Sequence, residues 1–406
     1  MPVAAIDVDG DLDLREDDVS TASKCCQWLE IDAISEATSV QKGSKRQLRL
    51  RVPTSVGEHR RATRRTGSPG RHHLKTLVPA TLRVQQSRMV VIMTGTIYEW
   101  FGYRGTDRSG NAAAATTTKH CVHIGRTCAK AGQSGVCSIT TATDMVPICP
   151  RRLYSDNHAF LRTIAEEVFA DLAVEVDPAD GRPLLSAWTA AKNRAATTGI
   201  AQVGVFGENP FGGELNLPPA VPGGGSPKVD FTLFAIGPTG SLLRFVPVEV
   251  QSIDTTGNTQ PSVAALKDNR QSAPSTVGLN WENVNKRILP QLIVKGLMLQ
   301  AEGLCTHGLY FVTPEPVFRK IILRLGGFDS TEHPRRLRSI PKQPGSLTFH
   351  RYDYDLARAV DGAPVPMRLL PPVTVSTSDL SLAFISPENL PISGAYEASM
   401  RGKLRI

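Results

Sequence analysis

KVDFTLFAIGPTGSLLRFVPVEVQSID, Lys228 to Asp254, is the stretch on which the reading of this chain turns. FTLFAI and LLRFVPVEVQ are rich in the β-branched and aromatic residues of strands, and GPTG (Gly237 to Gly240) between them supplies turn residues, so a hairpin is predicted. In the second strand Val246, Val248 and Val250 share one face, which leaves Glu249 and Gln251 on the other. A turn centred between Pro238 and Thr239 sets Asp230 opposite Pro247 and makes Glu249 its diagonal neighbour. Such neighbours are about 7–8 Å apart along the backbone, and their side chains close much of that gap. Two carboxylates meeting there repel unless one takes a proton or a cation lies between them. Mg²⁺ suits the pair, because it takes one or two carboxylates and completes its shell with water and phosphate oxygens. The plainer reading is a solvated outer strand face.

Working outward, Asp230 followed by Glu249-x-Gln251 on the next strand is a variant of the D…(D/E)xK pattern, in which a metal stabilises phosphate charge and activates water. Gln251 stands in the Lys place; it can hold a water but cannot take a proton from it. Glu214, in GGELNL (Gly212 to Leu217), is a further candidate acid or an exposed edge residue. In the helical run near 281–303, Gln291 and Lys295 are four apart and share a face with Ile288, Leu292 and Leu299. Lys295 there either reaches a scissile phosphate or snorkels out of an apolar face. Pro290 predicts a kink or a late helix start. GLYFVTPEPVFRKIILRL predicts a strand ending at Val312, then a helix with Thr313 as N-cap and Pro314 in its first position. SLTFHRYDYDL (Ser346 to Leu356) and PVTVS (Pro372 to Ser376) predict later strands, and HAFLRTIAEEVFADLAVEV (His158 to Val176) an earlier helix.

Further upstream, Cys121, Cys128, Cys137 and Cys149 fall within 29 residues on Gly-containing turns. Four thiolates so spaced can converge on one tetrahedral Zn or Fe; unligated buried thiols are the alternative. Cys25, Cys26 and Cys305 are read as structural or incidental.

The 406 residues carry 46 Lys and Arg against 38 Asp and Glu, with 41% hydrophobic and 21% charged residues, which is globular composition. No run approaches the roughly 18 apolar residues of a membrane span, and the acidic opening MPVAAIDVDGDLDLREDD does not read as a secretory signal. A membrane protein and an exported disulfide scaffold are therefore not expected. A net charge of +8 points only weakly to a polyanionic partner. It is unevenly spread: residues 1–36 hold ten acids, and 42–88 hold thirteen basic residues against Glu58 alone. Residues 1–92 are read as a disordered extension or as sequence outside the native coding region, with Met89 or Met93 as the start. A basic tail touching DNA is the other reading.

Several blocks, taken together, resemble NotI-type restriction endonucleases: YEWFGYRG, HCVHIGRTC…GVCSI…VPICPRRL, GGELNL, KVDFTLFAI, FVPVEVQSIDTTGN and GLNWENVNKRILPQLIVKGLMLQ. They are scattered over about 95–330 in the family's order. The resemblance implies an α/β, restriction-endonuclease-like PD-(D/E)xK core, a mixed sheet flanked by helices, over 156–406. It further implies a small four-cysteine metal module over 93–155, holding iron in the type enzyme. Asp230 and Glu249 then bind catalytic Mg²⁺, Gln251 takes the Lys place, Glu214 is an additional acid, and Cys121, Cys128, Cys137 and Cys149 hold structural Fe or Zn. Cys121 is the least conforming in spacing, with His120 or His123 as its substitute. The implied function is a bacterial cytoplasmic type II restriction endonuclease: a homodimer cutting double-stranded DNA at a GC-rich palindrome, with a DNA methyltransferase as genetic partner. Two rivals stay open, a PD-(D/E)xK nuclease acting on modified DNA or in repair, and a non-catalytic metal-ribbon DNA-binding protein.

Overall fold

The structure, a computed structural model, describes residues 38–42, 45–49, 95–219, 223, 225–274, 276–386 and 392–405. Most of the extension expected over 1–92, with Cys25, Cys26, Met89 and Met93, lies outside the described residues. Within it, Thr38–Lys42 pairs antiparallel with Lys45–Arg49. The chain divides into two compact units, Met1–Gln86 and Ser87–Ile406, and the second carries every candidate site residue.

Its centre is a mixed sheet built of β1 (Leu185–Ala187), β2 (Gln202–Gly207), β3 (Phe231–Ile236), β4 (Leu242–Val250), β5 (Leu309–Pro314), β6 (Ser346–Tyr354), β7 (Met367–Leu369) and β8 (Val373–Ser376). The spatial order is β7-β6-β5-β4-β3-β2-β1, with β8 also pairing to β6. β2, β3 and β4 form an antiparallel meander, whereas β1 pairs parallel with β2, and β4, β5 and β6 are mutually parallel. β3 and β5 are buried along their whole length, as strands covered on both faces must be. On one face Val246, Val248 and Val250 of β4 pack with Phe160, Leu161 and Ile164 of the helix Ser155–Val168. On the other, the helices Leu289–Leu299, Glu315–Arg324 and Thr377–Ile385 cover Leu309, Phe311 and Phe349. The sequence-predicted mixed sheet flanked by helices is therefore present.

The cysteine-bearing segment forms its own four-stranded antiparallel sheet, with Tyr103–Arg104, Thr96–Trp100, Val136–Thr140 and Met145–Pro147 in that order, beside a short hairpin of His120–Cys121 with Arg126–Thr127. Its Ile97, Trp100 and Ile139 share one apolar cluster with Leu292 and Phe318. The expected four-cysteine metal module is not found: among the described residues no group of three or more His, Cys, Asp or Glu is placed to hold a metal ion. That corrects the fold expectation in this part.

One helix boundary differs from expectation, and the late helix start expected at Pro290 is found. β5 runs on through Thr313 and Pro314, so Pro314 becomes the N-cap residue of the next helix. Thr313 cannot cap, because its hydroxyl donates to the Gln251 carbonyl at 2.9 Å and ties β5 to the end of β4. The long helical run, in turn, begins with one π-type turn at Val284–Ile288 and becomes α-helical at Leu289, with Pro290 in the first turn, where its missing N–H has no cost. No helix among the described residues is long and apolar enough to cross a membrane.

Candidate active site

The hairpin forms, but its register is not the one a four-residue turn dictates. Ile236 pairs with Leu242, so five residues make the loop, and a bulge then moves Ala235 opposite Arg244. Each irregularity shifts the pairing by one residue. Together they shift it by two, and with a side-chain period of two every residue keeps its expected face. Thr232 now lies opposite Pro247 and Phe231 opposite Val248, so the next step along sets Asp230 against Glu249 directly. The acids are closer neighbours than the diagonal relation expected.

Their contacts are few. Asp230 Oδ2 accepts from the Val250 N–H at 2.7 Å, and the Asp230 N–H in return donates to the Glu249 carboxylate. Glu249 is only 7% exposed. Its remaining partner is Lys295, whose Nζ donates to Oε2 at 2.6 Å. Burial first, and then the charge of Asp230, push the Glu249 carboxyl up to about 7, against the opposing pull of Lys295. Asp230 is raised as well, by burial first, with Val250 N–H and Lys295 opposing and the charges of Glu214 and Glu208 adding to the rise. Glu249 thus keeps its proton up to near neutral pH, which is unusual for Glu.

Lys295 reaches this place because its helix lies close to the next one. A Cβ on Gly296 would sit 2.5 Å from Thr377 Oγ1, so glycine allows the helices Leu289–Leu299 and Thr377–Ile385 to approach. Lys295 is buried among Leu292, Gly296 and Leu299 rather than snorkelling to solvent. Pro227, Lys228, Glu249, Pro290, Gln291, Val294 and Lys295 line an open pocket of about 460 Å³. Glu249 and Lys295 are therefore brought together, with Gln291 on the same wall.

Other candidates stand apart. Gln251 is fixed by its backbone, N–H to the Val312 carbonyl at 3.0 Å and its own carbonyl to Thr313, and it does not line the pocket. Glu214 is exposed and lies 3.7 Å from Lys228; its charge reaches Asp230, but it does not join the acid pair as a third ligand. The expected Mg²⁺ on Asp230 and Glu249 therefore finds no third ligand in Glu214, and the metal expectation is corrected, Mg²⁺ and the structural Fe or Zn alike, since among the described residues no three such groups are placed to hold a metal ion. Cys121, Cys137 and Cys149 are buried and Cys128 half-buried, all as free thiols. Burial, then the backbone N–H of His123 and the neighbouring Cys149 and Cys128, act on Cys121, and the net effect is upward. Burial likewise raises Cys137 and Cys149. His120 and His123 complete no set either; His123 Nδ1 lies 2.8 Å from Ser155 Oγ.

Sequence reasoning missed two residues coupled to Asp230, Glu208 and Tyr154, and the arginine that holds Glu208. Glu208 follows β2, and Tyr154 and Arg151 come from the segment after Cys149. Arg151 donates to Glu208 from Nε at 3.2 Å and from Nη2 at 2.7 Å. Tyr154 is buried, and burial and then the Asp230 charge push its phenol upward. The only local signal was the Arg151–Arg152 pair in VPICPRRL; nothing in FGENP marks Glu208. No protein-family model and no curated protein matches this sequence, so the resemblance to NotI-type restriction endonucleases, and the PD-(D/E)xK core with a four-cysteine metal module that it implied, is corrected.

Proposed function

We propose that the chain is a site-specific deoxyribonuclease that hydrolyses phosphodiester bonds of double-stranded DNA in the Glu249–Lys295 pocket. The observation that carries this reading is one buried Glu pushed up to about 7, held 2.6 Å from a buried Lys, at the wall of an open pocket. A carboxylate with such a pKa is a competent general base at neutral pH, because it is partly ionised yet basic enough to take a proton from water. The Lys295 ammonium, on the same carboxylate, offsets the charge that builds on a phosphate as the water attacks. Lys228 and Gln291 on the pocket wall supply a surface cation and an amide that can hold phosphate oxygens or the attacking water. Asp230 acts through Glu249 by keeping its carboxyl high. Two copies related by a two-fold axis present one such pocket to each strand. Because a chain that cuts its host's DNA needs the site protected, a DNA methyltransferase is the genetic partner this reading expects.

The test is cleavage of supercoiled and linear plasmid by the full chain, with and without added divalent cation, beside Glu249→Gln. Discrete fragments from the wild type, with a loss of about 10²–10⁴-fold in Glu249→Gln, are expected of a lost general base. Salt-sensitive duplex binding without any cleavage would instead make this a DNA-binding protein with a structural ion pair. Equal cleavage by both chains would move the chemistry away from this pocket.

A further inference from the structure

The segment from Cys121 to Tyr154 has an output that does not depend on its thiols, and the argument for it rests on the nuclease reading above. It carries two arginines to Glu208, whose charge acts on Asp230. Arg151 is held from behind: Nε and Nη2 both donate to Glu208, which fixes the plane of the guanidinium. Arg126 Nη2 lies 3.9 Å from the same carboxylate. Glu208 in turn is near enough to Asp230 for its charge to be felt there, as it is at Tyr154, three residues after Arg151. The Arg151 side chain is 30% exposed and that of Arg126 46% exposed. Arg151 Nη1 has no hydrogen-bond partner among the described residues, so the second edge of the oriented fork is left unclaimed on a partly exposed side chain. Around the site, the acids Asp230, Glu249, Glu208 and Glu214 are matched by Lys295, Lys228, Arg151 and Arg126. A polyanion approaching these carboxylates needs those cations on its path.

We infer that Arg151, oriented by Glu208 and seconded by Arg126, binds a backbone phosphate of the DNA next to the one that reacts. Arg151 is then a substrate-binding residue and Glu208 a positioning residue. Arginine fits the task because its planar fork keeps one edge for the orienting carboxylate and offers the other to phosphate. The inference also gives the cysteine-bearing segment a task, that of holding this wall in place.

The experiment measures binding of a fluorescent DNA duplex to full-length Glu249→Gln, chosen because its cleavage is expected to be slow, across a series of salt concentrations. Adding Arg151→Gln should weaken binding about tenfold and make the slope of log K against log salt shallower by about 1. Arg151→Lys keeps the charge and should restore the slope, but only part of the affinity, because it loses the fork. Arg126→Gln should lower the slope in the same direction; its long contact to Glu208 makes it the variant least able to disturb folding. A purely structural Arg151 would change the melting temperature and leave the slope alone. Wild-type cleavage together with unchanged slopes in Arg151→Gln and Arg126→Gln overturns the arginine role while the nuclease reading stands. A wild type that cuts no DNA, with a Glu249→Gln chain that binds no duplex, overturns both.

Discussion

Glu99 and Glu249 are both buried glutamates paired to a buried cation, one in the cysteine-bearing segment and the other in the main sheet. Glu99 is fully enclosed, and its oxygens accept from Arg152 Nε at 2.7 and 3.0 Å, Ser138 Oγ at 2.9 Å and Tyr354 Oη at 2.5 Å. Arg152 spends its other nitrogens on Ser155 Oγ and the Val365 carbonyl. Glu249 accepts from Lys295 and from one backbone N–H, faces a second acid, and opens on a pocket. The first arrangement is a satisfied network that joins Thr96–Trp100 to β6 across 255 residues of sequence. The second is an acid with a like charge beside it and a solvent path to it. Donor count, like-charge neighbours and access to solvent, rather than burial alone, separate a structural carboxylate from a reactive one.

The contrast breaks most sharply at Glu99. Glu99→Gln leaves Arg152 buried without its counter-charge, and denaturant unfolding should show a loss of about 3–5 kcal/mol. Glu249→Gln should cost clearly less, because Asp230 remains as a negative neighbour of Lys295.

Next in size is the dependence of stability on pH. The folded pKa of Glu249 lies above its unfolded value, so its favourable contribution is complete below about 4.5 and disappears as pH rises through about 7. Unfolding free energy should therefore fall on the order of 3 kcal/mol across that window, and Glu249→Gln should flatten the fall. Cleavage should run the opposite way, rising through neutral pH as Glu249 ionises. A wild type whose stability is level from pH 4.5 to 7 would refute the assignment of a raised pKa.

Lys295→Met sharpens the same point through kinetics. The ammonium is what pulls the Glu249 carboxyl down, so its removal should move the midpoint of the cleavage pH profile upward and slow cleavage at pH 7 by roughly 10²-fold. An unmoved midpoint would detach Lys295 from the reaction.

The smallest effect is expected at Thr313→Val, which removes the hydroxyl bond to the Gln251 carbonyl. About 1 kcal/mol of stability should be lost, with the cleavage pH profile unchanged, since Gln251 lies outside the pocket lining.

Much of the hairpin was legible because alternation is local: Val246, Val248 and Val250 declare one face and Glu249 the other, whatever the loop does. The same holds for Gln291 and Lys295, whose spacing of four places them on one helix face. The likeness of scattered blocks to a known family was misleading, and the cysteine spacing could not report whether the thiols would be ionised. That depends on burial, which the fold imposes on Cys121, Cys137 and Cys149.

The amino-acid order by itself thus determined the hairpin strands and the faces of their residues, because these follow from residues within a few positions of one another. Tertiary structure decided the rest. The five-residue loop and the bulge between Ala235 and Ile236 set the true register, and Gly296 against Thr377 brought Lys295 to Glu249 across 46 residues. Arg151 came to bond Glu208 across 57 residues, and the Glu208 charge came to act on Asp230. Above all, desolvation set the proton affinity of Glu249, and a pKa belongs to the surroundings that packing creates, not to the residue type.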